Sequence, residues 1–162
     1  PLVRRSYQDP LRTWATNVQG SLNLLQALKP LQHPCSVVMV TTDKVYANRE
    51  WDHGYREEDR LGGHDPYSAS KAASELAIAS WRSSFCGYAS HQTPHLAIAT
   101  ARAGNVIGGG DWALDRLVPD TLRALENGER VLIRNPQAIR PWQHVLEPVF
   151  GYINLAEKLS SI

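Results

Sequence analysis

Tyr67 and Lys71 lie four residues apart in the stretch PYSASK, immediately after the dipeptide Asp65-Pro66. Aspartate followed by proline is typical of a helix start, and a spacing of four places both side chains on one helix face. A lysine ammonium beside a phenol favours the phenolate and so lowers the pKa of the tyrosine. The pair therefore predicts a base that works near neutral pH. The motif alone is weak, because a half-buried tyrosine and a solvated lysine share this spacing in many helices.

Further polar side chains follow two predicted strands. Thr42, Asp43 and Lys44 come directly after the apolar run SVVMV, and Asn105 comes shortly after HLAIATARA. Ligands of open α/β sheets bind outside the carboxyl ends of the strands, so these residues are expected to meet Tyr67 at one sheet edge. The alternative interpretation is an ordinary turn at each place. The convergence of several polar groups on one edge favours a catalytic site.

Helices and strands alternate along the rest of the sequence. The predicted elements are a helix from Asp9 to about Leu28, a strand over SVVMVTT, a loop over residues 48–65, a helix from Pro66 through YSASKAASELAIASWRSSF, a strand over HLAIATARA, a glycine-rich turn over GNVIGGGDW, an amphipathic helix over LDRLVPDTLRALENG, a short strand over VLIR, a loop over NPQAIRPWQH and a last helix over VLEPVFGYINLAEKL. Continuous apolar strands that alternate with helices predict an α/β fold with a mostly parallel sheet.

The composition narrows the class of protein. The 162 residues are 43% hydrophobic, enough for a core, and carry a formal net charge of +1 without long runs of one sign. Nucleic-acid binding and a polybasic membrane patch are therefore not favoured. No apolar run reaches the roughly 18 residues of a membrane span. Cys35 and Cys86 have neither metal-ligand spacing nor a disulfide framework, and we interpret them as reduced thiols of a cytoplasmic protein.

Several motifs together resemble a known family. TTDKVY, PYSASK, ARAGNVIGGGDWALDRLVPD and IRPWQHVLEP are similar to the extended short-chain dehydrogenase/reductases that act on nucleotide sugars, in particular their 4,6-dehydratases. The dehydratases of dTDP-glucose carry Asp-Glu where this sequence has Asp43-Lys44, so the resemblance favours the branch that acts on CDP-glucose. The resemblance implies a partial Rossmann-like, doubly wound sheet.

The resemblance also implies a role for each residue of the predicted catalytic group. Enzymes of this type oxidise C4 of the hexose by hydride transfer to NAD, lose water across C5 and C6, and return the hydride to C6. Tyr67 would take the proton of the 4-hydroxyl, which Thr42 would orient, and Lys71 would hold the nicotinamide ribose. Asp43 would protonate the departing 6-hydroxyl, and Lys44 would remove the C5 proton.

Other residues are matched to substrate binding or to structure. By resemblance, Asn105 contacts the nucleotide-diphosphate sugar near its diphosphate, Arg140 grips the diphosphate, and Arg116 is a lesser candidate for the nucleotide. Asn17 matches a structural asparagine of the helix before the first strand. His144 is interpreted as structural.

The sequence departs from the family pattern in its cofactor site. No glycine-rich phosphate-binding loop of the G-x-x-G-x-x-G type is present, so NAD is implied by the resemblance and by the Tyr-Lys pair alone. We expect the chain to begin after the cofactor-binding half and to end inside the substrate-binding portion, with a division at residues 1–104 and 105–162. We therefore expect the isolated chain to bind NAD weakly and to be inactive. Self-association through the edges of SVVMVTT, giving a homo-oligomer, is also expected.

Two other functions stay open from the sequence. A nucleotide-sugar 4-epimerase would share Tyr67, Lys71 and the phosphate-binding arginine, but it needs no acid and base beside Thr42. A non-catalytic truncated module would bind a partner or a nucleotide sugar passively. The pair Asp43-Lys44 favours the dehydratase over the epimerase, and the coding sequence upstream of Pro1 would distinguish the enzyme from the module.

Overall fold

The computed structural model describes residues 2–86 and 95–161, in which parallel strands alternate with helices. The elements in chain order are α1 (Val3–Gln8), α2 (Pro10–Trp14), a π-helical segment (Ala15–Gln19), α3 (Gly20–Leu28), β1 (Cys35–Val40), a 3-10 turn (Asp43–Val45), α4 (Pro66–Phe85), β2 (Leu96–Ala101), β3 (Asn105–Ile107), α5 (Leu117–Glu126), β4 (Trp142–His144) and α6 (Leu146–Leu159). The predicted α/β class is confirmed.

Strands β1 and β2 pair in parallel over their whole lengths, from Cys35 opposite Leu96 to Val40 opposite Ala101. Backbone hydrogen bonds continue the pairing beyond the strand ends, from Thr41 N to the carbonyl of Ala101 at 2.8 Å and from Asp43 N to that of Ala103 at 3.0 Å. The chain after β1 is therefore held in register with the chain after β2. Within the described residues no strand pairs with the other edge of β1, and self-association there stays a prediction.

The predicted helix from Asp9 to Leu28 is confirmed, but a π-helical segment interrupts it. The carbonyl of Asn17, inside this segment, accepts hydrogen bonds from Ser21 Oγ at 2.7 Å and from Ser74 Oγ of α4 at 2.9 Å. Asn17 Nδ2 donates to Ser70 Oγ at 2.8 Å. The π turn therefore aims Asn17 at α4, which agrees with the structural role expected for it.

Helix α4 begins where the sequence predicts. The Asp65 side chain accepts from the backbone N–H groups of Tyr67 and Ser68 at 3.0 Å each, and Ser68 Oγ accepts from the Asp65 N–H in return. This capping box fixes the first turn of α4, and with it the position of Tyr67. The hydrophobic core lies between this helix, α3 and the two strands, and consists of Leu25, Met39, Ile78, Leu96 and Ile98.

Two irregular segments predicted for the second half of the chain contain strands instead. The stretch GNVIGGGDW is not simply a turn, because Asn105–Ile107 forms β3, and the predicted loop NPQAIRPWQH contains its parallel partner β4. A Cβ at Gly104 would lie 2.9 Å from the carbonyl oxygen of Pro141, so glycine allows the backbone approach that starts this pairing. Propensity alone could not detect such a short, glycine-flanked pair.

The stretch VLIR, predicted as a strand, has no regular structure. Among the described residues it finds no partner strand, and Leu132 is 81% exposed. Its β-branched and apolar composition favours a strand, but the tertiary structure provides no partner for it, so the strand does not form.

The helices that flank this stretch agree better with the sequence. Helix α5 starts at Leu117, three residues later than predicted, and ends at Glu126, with the predicted Gly128 two residues beyond it at a φ of +66°. Glu129 N donates to the carbonyl of Ala124 at 2.7 Å, which completes a Schellman C-cap. Helix α6 covers the predicted residues and packs on β1 and β2. Among the helices of the described residues, none has the length and apolarity to cross a membrane.

Candidate active site

The segment after β1 turns sharply and presents its polar side chains at the strand end. Thr42 is extended and caps the 3-10 turn, its Oγ1 accepting from Lys44 N at 3.3 Å and donating to Asp43 Oδ1 at 3.1 Å. Val45, the last residue of the turn, is fully buried and anchors it. Thr42 is only 7% exposed, whereas Asp43 and Lys44 retain access to solvent.

Asp43 and Lys44 form an ion pair although they are adjacent in sequence. Lys44 Nζ lies 3.0 Å from each carboxylate oxygen of Asp43 and donates to Asn105 Oδ1 at 3.3 Å. The side chains are 28% and 38% exposed, respectively. The ends of two strands therefore converge here, as the sequence predicts, and Asn105 orients the Lys44 ammonium.

Tyr67 lies beside this pair and is 9% exposed. Burial raises the pKa of Tyr67 above its ordinary value of 10.0, against a hydrogen bond with Thr42 and the charge of Arg116, which lower it. The carboxylates of Asp43 and Asp65 raise it further. The expected lowering of the pKa of this phenol is therefore wrong for this structure, because burial outweighs the effect of the nearby cation, which is Arg116.

Lys71 instead points at the end of β1. Its Nζ donates to the carbonyl oxygen of Val40 at 3.4 Å. Burial lowers the pKa of Lys71, and the carboxylate of Glu75, one helical turn further on, partly opposes this shift. The Lys71 ammonium has three N–H donors, and within the described part of the chain this long hydrogen bond uses one of them. Lys71 therefore has N–H groups to offer to a diol such as a ribose, and the Tyr67–Lys71 pair fits the cofactor role that the sequence predicts.

A cleft of about 1370 Å³ opens beside the ion pair. Its walls include Asp43, Lys44, Ser68, Arg102 and Arg140. A cleft of this size exceeds the 300–1,000 Å³ typical of small-molecule sites. The structure therefore places Arg140 on the same cavity as the predicted acid and base. Thr42, Tyr67, Lys71, Asn105 and Arg116 do not line it.

The two other predicted residues of the second half have local partners. Arg116 Nε lies 3.8 Å from Asp111 Oδ2 and, within residues 2–86 and 95–161, finds no hydrogen-bond acceptor. His144 Nδ1 accepts from Leu146 N at 3.3 Å at the start of α6, which supports the structural role expected for it.

Sequence analysis missed one buried group at the site. Glu75 and Arg102 form a two-fold ion pair, with Nε to Oε1 and Nη2 to Oε2 both at 3.0 Å. Tyr67, Lys71 and Glu75 follow at intervals of four, so all three lie along one face of α4. This spacing could have identified Glu75 from the sequence. A carboxylate on the same helix face as two functional residues is expected to be buried, and a buried carboxylate needs a charged partner.

The fold and this site together define the class of protein. The sequence profile of the NAD dependent epimerase/dehydratase family matches residues 1–162, and the chain belongs to this family. Its fold is therefore Rossmann-like, and members of the family use NAD.

Two curated relatives are dehydratases of nucleotide sugars. The chain is 54% identical to the CDP-glucose 4,6-dehydratase of Salmonella typhimurium over 98% of its own length and 44% of that protein. It is 34% identical to the dTDP-glucose 4,6-dehydratase of Streptomyces griseus, over 92% of the chain and 42% of the relative. The chain thus spans less than half the length of these relatives.

Solved structures agree on the fold. The dTDP-glucose 4,6-dehydratase DesIV of Streptomyces venezuelae, as a double mutant with NAD and DAU bound, superposes with a TM-score of 0.81 at 27% identity, covering 99% of this chain and 45% of that one. MoeE5 in complex with UDP-glucose and NAD gives a TM-score of 0.81 at 25% identity, over 98% and 50% of the two chains. The strands and helices described above are therefore arranged as in these two proteins.

Proposed function

We propose that this chain carries the dehydration site of an NAD-dependent nucleotide-sugar 4,6-dehydratase that converts CDP-glucose to CDP-4-keto-6-deoxyglucose. The observation that carries the proposal is the Asp43–Lys44 pair, held on Asn105 beside Thr42 and Tyr67. Dehydration needs an acid and a base on neighbouring carbon atoms, and two adjacent side chains of opposite charge meet that need. The 54% identity to a CDP-glucose 4,6-dehydratase supports the same conclusion.

The proposed reaction begins at C4 of the glucose ring. Tyr67 takes the proton of the 4-hydroxyl in its ionised form, which is a minor species near neutral pH because burial raises the pKa of Tyr67, and Thr42 beside it orients that hydroxyl. When bound, NAD supplies the reversible hydride exchange that oxidises C4 and later reduces C6. Lys71 holds the ribose of the cofactor with the N–H groups that it does not give to Val40.

The 4-ketone acidifies the proton on C5, and water is then eliminated. Lys44 as a neutral amine accepts the C5 proton while Asp43 as a carboxylic acid protonates the departing 6-hydroxyl. The C5–H and C6–O bonds break, a C5–C6 double bond forms and one water molecule leaves. Lys44, now an ammonium that exchanges with solvent, returns a proton to C5 when C6 is reduced. The reactive form of the pair differs from the ion pair by transfer of a single proton over 3.0 Å, without change in net charge.

Binding of the substrate is assigned to the arginines and to Asn105. Arg140, on the cleft that also contains Asp43 and Lys44, would clamp the diphosphate, because a guanidinium presents a charged fork to phosphate oxygens. Arg116 would approach the substrate from the side of Tyr67. Asn105 would act mainly by orienting Lys44, since its amide oxygen is the acceptor of the Lys44 ammonium.

A 4-epimerase is the alternative that shares most of the site. It would use Thr42, Tyr67 and Lys71 alike, and some structural neighbours carry that activity, among them the UDP-N-acetylglucosamine 4-epimerase of Methanobrevibacter ruminantium. A 4-epimerase has no step that requires the Asp43–Lys44 acid and base. A passive binding module would require none of these catalytic side chains.

The test is a substrate panel with the protein expressed from its complete reading frame. NAD and one of CDP-, dTDP-, UDP- or GDP-glucose are supplied, and formation of the 4-keto-6-deoxy sugar is followed. We expect turnover of CDP-glucose above the other three. A 4-epimer as the sole product would establish the epimerase instead, and no conversion of any sugar would favour the passive module.

A further inference from the structure

A buried polar cluster joins four segments next to the candidate active site. Glu75 of α4 is 4% exposed, and Arg102, the residue after β2, has a side chain that is 16% exposed. Their two-fold ion pair occupies both carboxylate oxygens. Thr41 Oγ1, at the end of β1, also donates to Glu75 Oε1. The carboxylate therefore connects α4 to the ends of both strands, one residue before Thr42.

The guanidinium extends the cluster into the loop that follows Lys44. Arg102 Nη1 donates to Tyr46 Oη at 2.9 Å and to the carbonyl oxygen of Glu57 at 3.0 Å, and its Cζ lies 5.0 Å from the centre of the Tyr46 ring. The Tyr46 ring in turn stacks on Tyr55 at 4.9 Å. Arg102 thus joins Tyr46 and Glu57, the two arms of the loop that follows Lys44.

Glu75 also acts along its own helix. Lys71 precedes it by one turn, and their side chains contact successive residues of the same strand end, Val40 and Thr41. The charged groups that face Glu75 are Arg102 from the end of β2 and Lys71 from α4. Burial raises the pKa of Glu75, but hydrogen bonds from Arg102, Thr41 and Thr100 lower it by more. The pKa of Glu75 is therefore lowered overall and the carboxylate is ionised. Its negative charge favours the protonated form of Lys71 against the effect of burial.

A purely stabilising role explains this arrangement poorly. Buried ion pairs give little net stability, because desolvation of both charges offsets their attraction. The pair bonds to Thr41, the residue before Thr42, and to Tyr46, two residues after Lys44. We propose that Glu75 is a positioning residue for the dehydratase, which fixes Thr42 through Thr41, the Asp43–Lys44 loop through Arg102, and Lys71 through its charge. The inference rests on the proposed function above.

The first test measures the charge of Lys71 directly. In the complete protein, with lysine side chains labelled with ¹³C and the Lys71 signal assigned by Lys71→Arg, NMR follows the alkaline titration. Glu75→Gln keeps the volume of the side chain and an oxygen that can accept from Thr41, but it removes the charge. We expect the titration midpoint of Lys71 to fall in Glu75→Gln and to stay in place in Glu129→Gln, an exposed control. An unchanged midpoint in Glu75→Gln would overturn the proposal.

The second test separates positioning from binding. Thr41→Val removes a single hydroxyl of the cluster and leaves the ion pair intact, so it decides the matter even if Glu75→Gln does not fold. We expect kcat for CDP-glucose to fall about 10- to 100-fold with KM nearly unchanged, as for a catalytic group misplaced by a fraction of an ångström. A kcat in Thr41→Val equal to that of the unaltered protein would contradict the positioning role.

The two proposals fail in different ways. If the unaltered protein does not convert CDP-glucose, the proposed function fails, while the Lys71 titration still decides whether Glu75 acts on that residue. If the unaltered protein is active and both Thr41→Val and Glu75→Gln retain full kcat, the dehydratase stands and the positioning role of Glu75 is refuted.

Discussion

The Asp43–Lys44 pair has a geometry that serves two purposes with the same atoms. As an ion pair it holds both side chains in one place, with Lys44 Nζ at 3.0 Å from both carboxylate oxygens and at 3.3 Å from Asn105 Oδ1. After transfer of one proton, the same atoms are an acid and a base at adjacent positions. Partial exposure to solvent lets the pair exchange protons with water between turnovers.

Loss of the Lys44 amine is expected to stop the elimination. In Lys44→Ala we expect kcat for formation of the 4-keto-6-deoxy sugar to fall about 10²- to 10⁴-fold, the usual contribution of a general base. The matched control is Lys158→Ala, on the exposed end of α6. Product formation in Lys44→Ala at the rate of the control would remove Lys44 from the mechanism.

The position of Tyr67 predicts a high-pH transition. Because burial raises the pKa of Tyr67, its phenolate forms above pH 10.0. The difference in tyrosinate absorbance between the unaltered protein and Tyr67→Phe should follow this ionisation. Arg116 lowers this pKa, so Arg116→Ala should move the transition to still higher pH. A transition of Tyr67 below pH 10.0 would contradict the effect of burial seen here.

The same shift has a consequence for stability. The folded protein holds the Tyr67 proton more tightly than the unfolded chain does, because the pKa is raised. The stabilising contribution is therefore complete below pH 10.0 and is lost as the pH rises through the raised value. In denaturant unfolding, the free energy of unfolding of Tyr67→Phe should therefore fall less at alkaline pH than that of the unaltered protein.

At the scale of elements, the start of α4 is where loop and helix pack most closely. A Cβ at Gly63 would lie 2.4 Å from the backbone carbon of Ser68 and 2.5 Å from Ala69 N. The first turn of α4, which includes Tyr67, therefore needs glycine at this position of the loop. Gly54 in the same loop has open space at its Cβ position.

These two glycines give a matched pair of variants. Gly63→Ala is expected to lower the free energy of unfolding by about 1–3 kcal/mol, the usual cost of overpacking. Gly54→Ala should change it by less than about 0.5 kcal/mol. Chemical denaturation measures both, and equal stability of the two variants would show that the loop does not pack on α4 as described.

The elements also show which features the sequence could predict. The strand β1 and helix α4 are predictable, because one is a continuous β-branched run and the other begins with Asp65-Pro66. The strand β3 is not, since its three residues gain their structure from Trp142–His144, far along the chain. In the site, Thr42, Asp43, Lys44 and Asn105 converge as predicted, but the burial of Tyr67 and the pairing of Glu75 with Arg102 depend on tertiary contacts.

At the scale of the whole molecule, burial is unevenly distributed. The core residues belong to the part before residue 105, and among residues 105–161 only Pro119 is buried. This difference supports the proposed division at residues 104 and 105. The two parts nevertheless meet at Lys44 and Asn105, and an ion pair joins Arg4 to Asp115 at 2.7 Å.

Amide hydrogen exchange should reveal the same division. We expect β1, β2 and α4 to exchange most slowly, and α5 with the stretch 129–141 to exchange much faster, because few buried contacts oppose local opening there. Mass spectrometry of peptic fragments resolves the two groups. Equal protection of α5 and α4 would refute the division.

The central claim is that this site eliminates water from CDP-glucose. The most direct test is the mass of the sugar nucleotide formed in D₂O by the complete protein with NAD. The dehydratase should give a product lighter by one water molecule that carries one solvent deuterium at C5, where Lys44 works. A sugar nucleotide with the mass of the substrate and no deuterium would contradict the claim, and its chromatographic separation from CDP-glucose would show whether it is a 4-epimer or unconverted substrate.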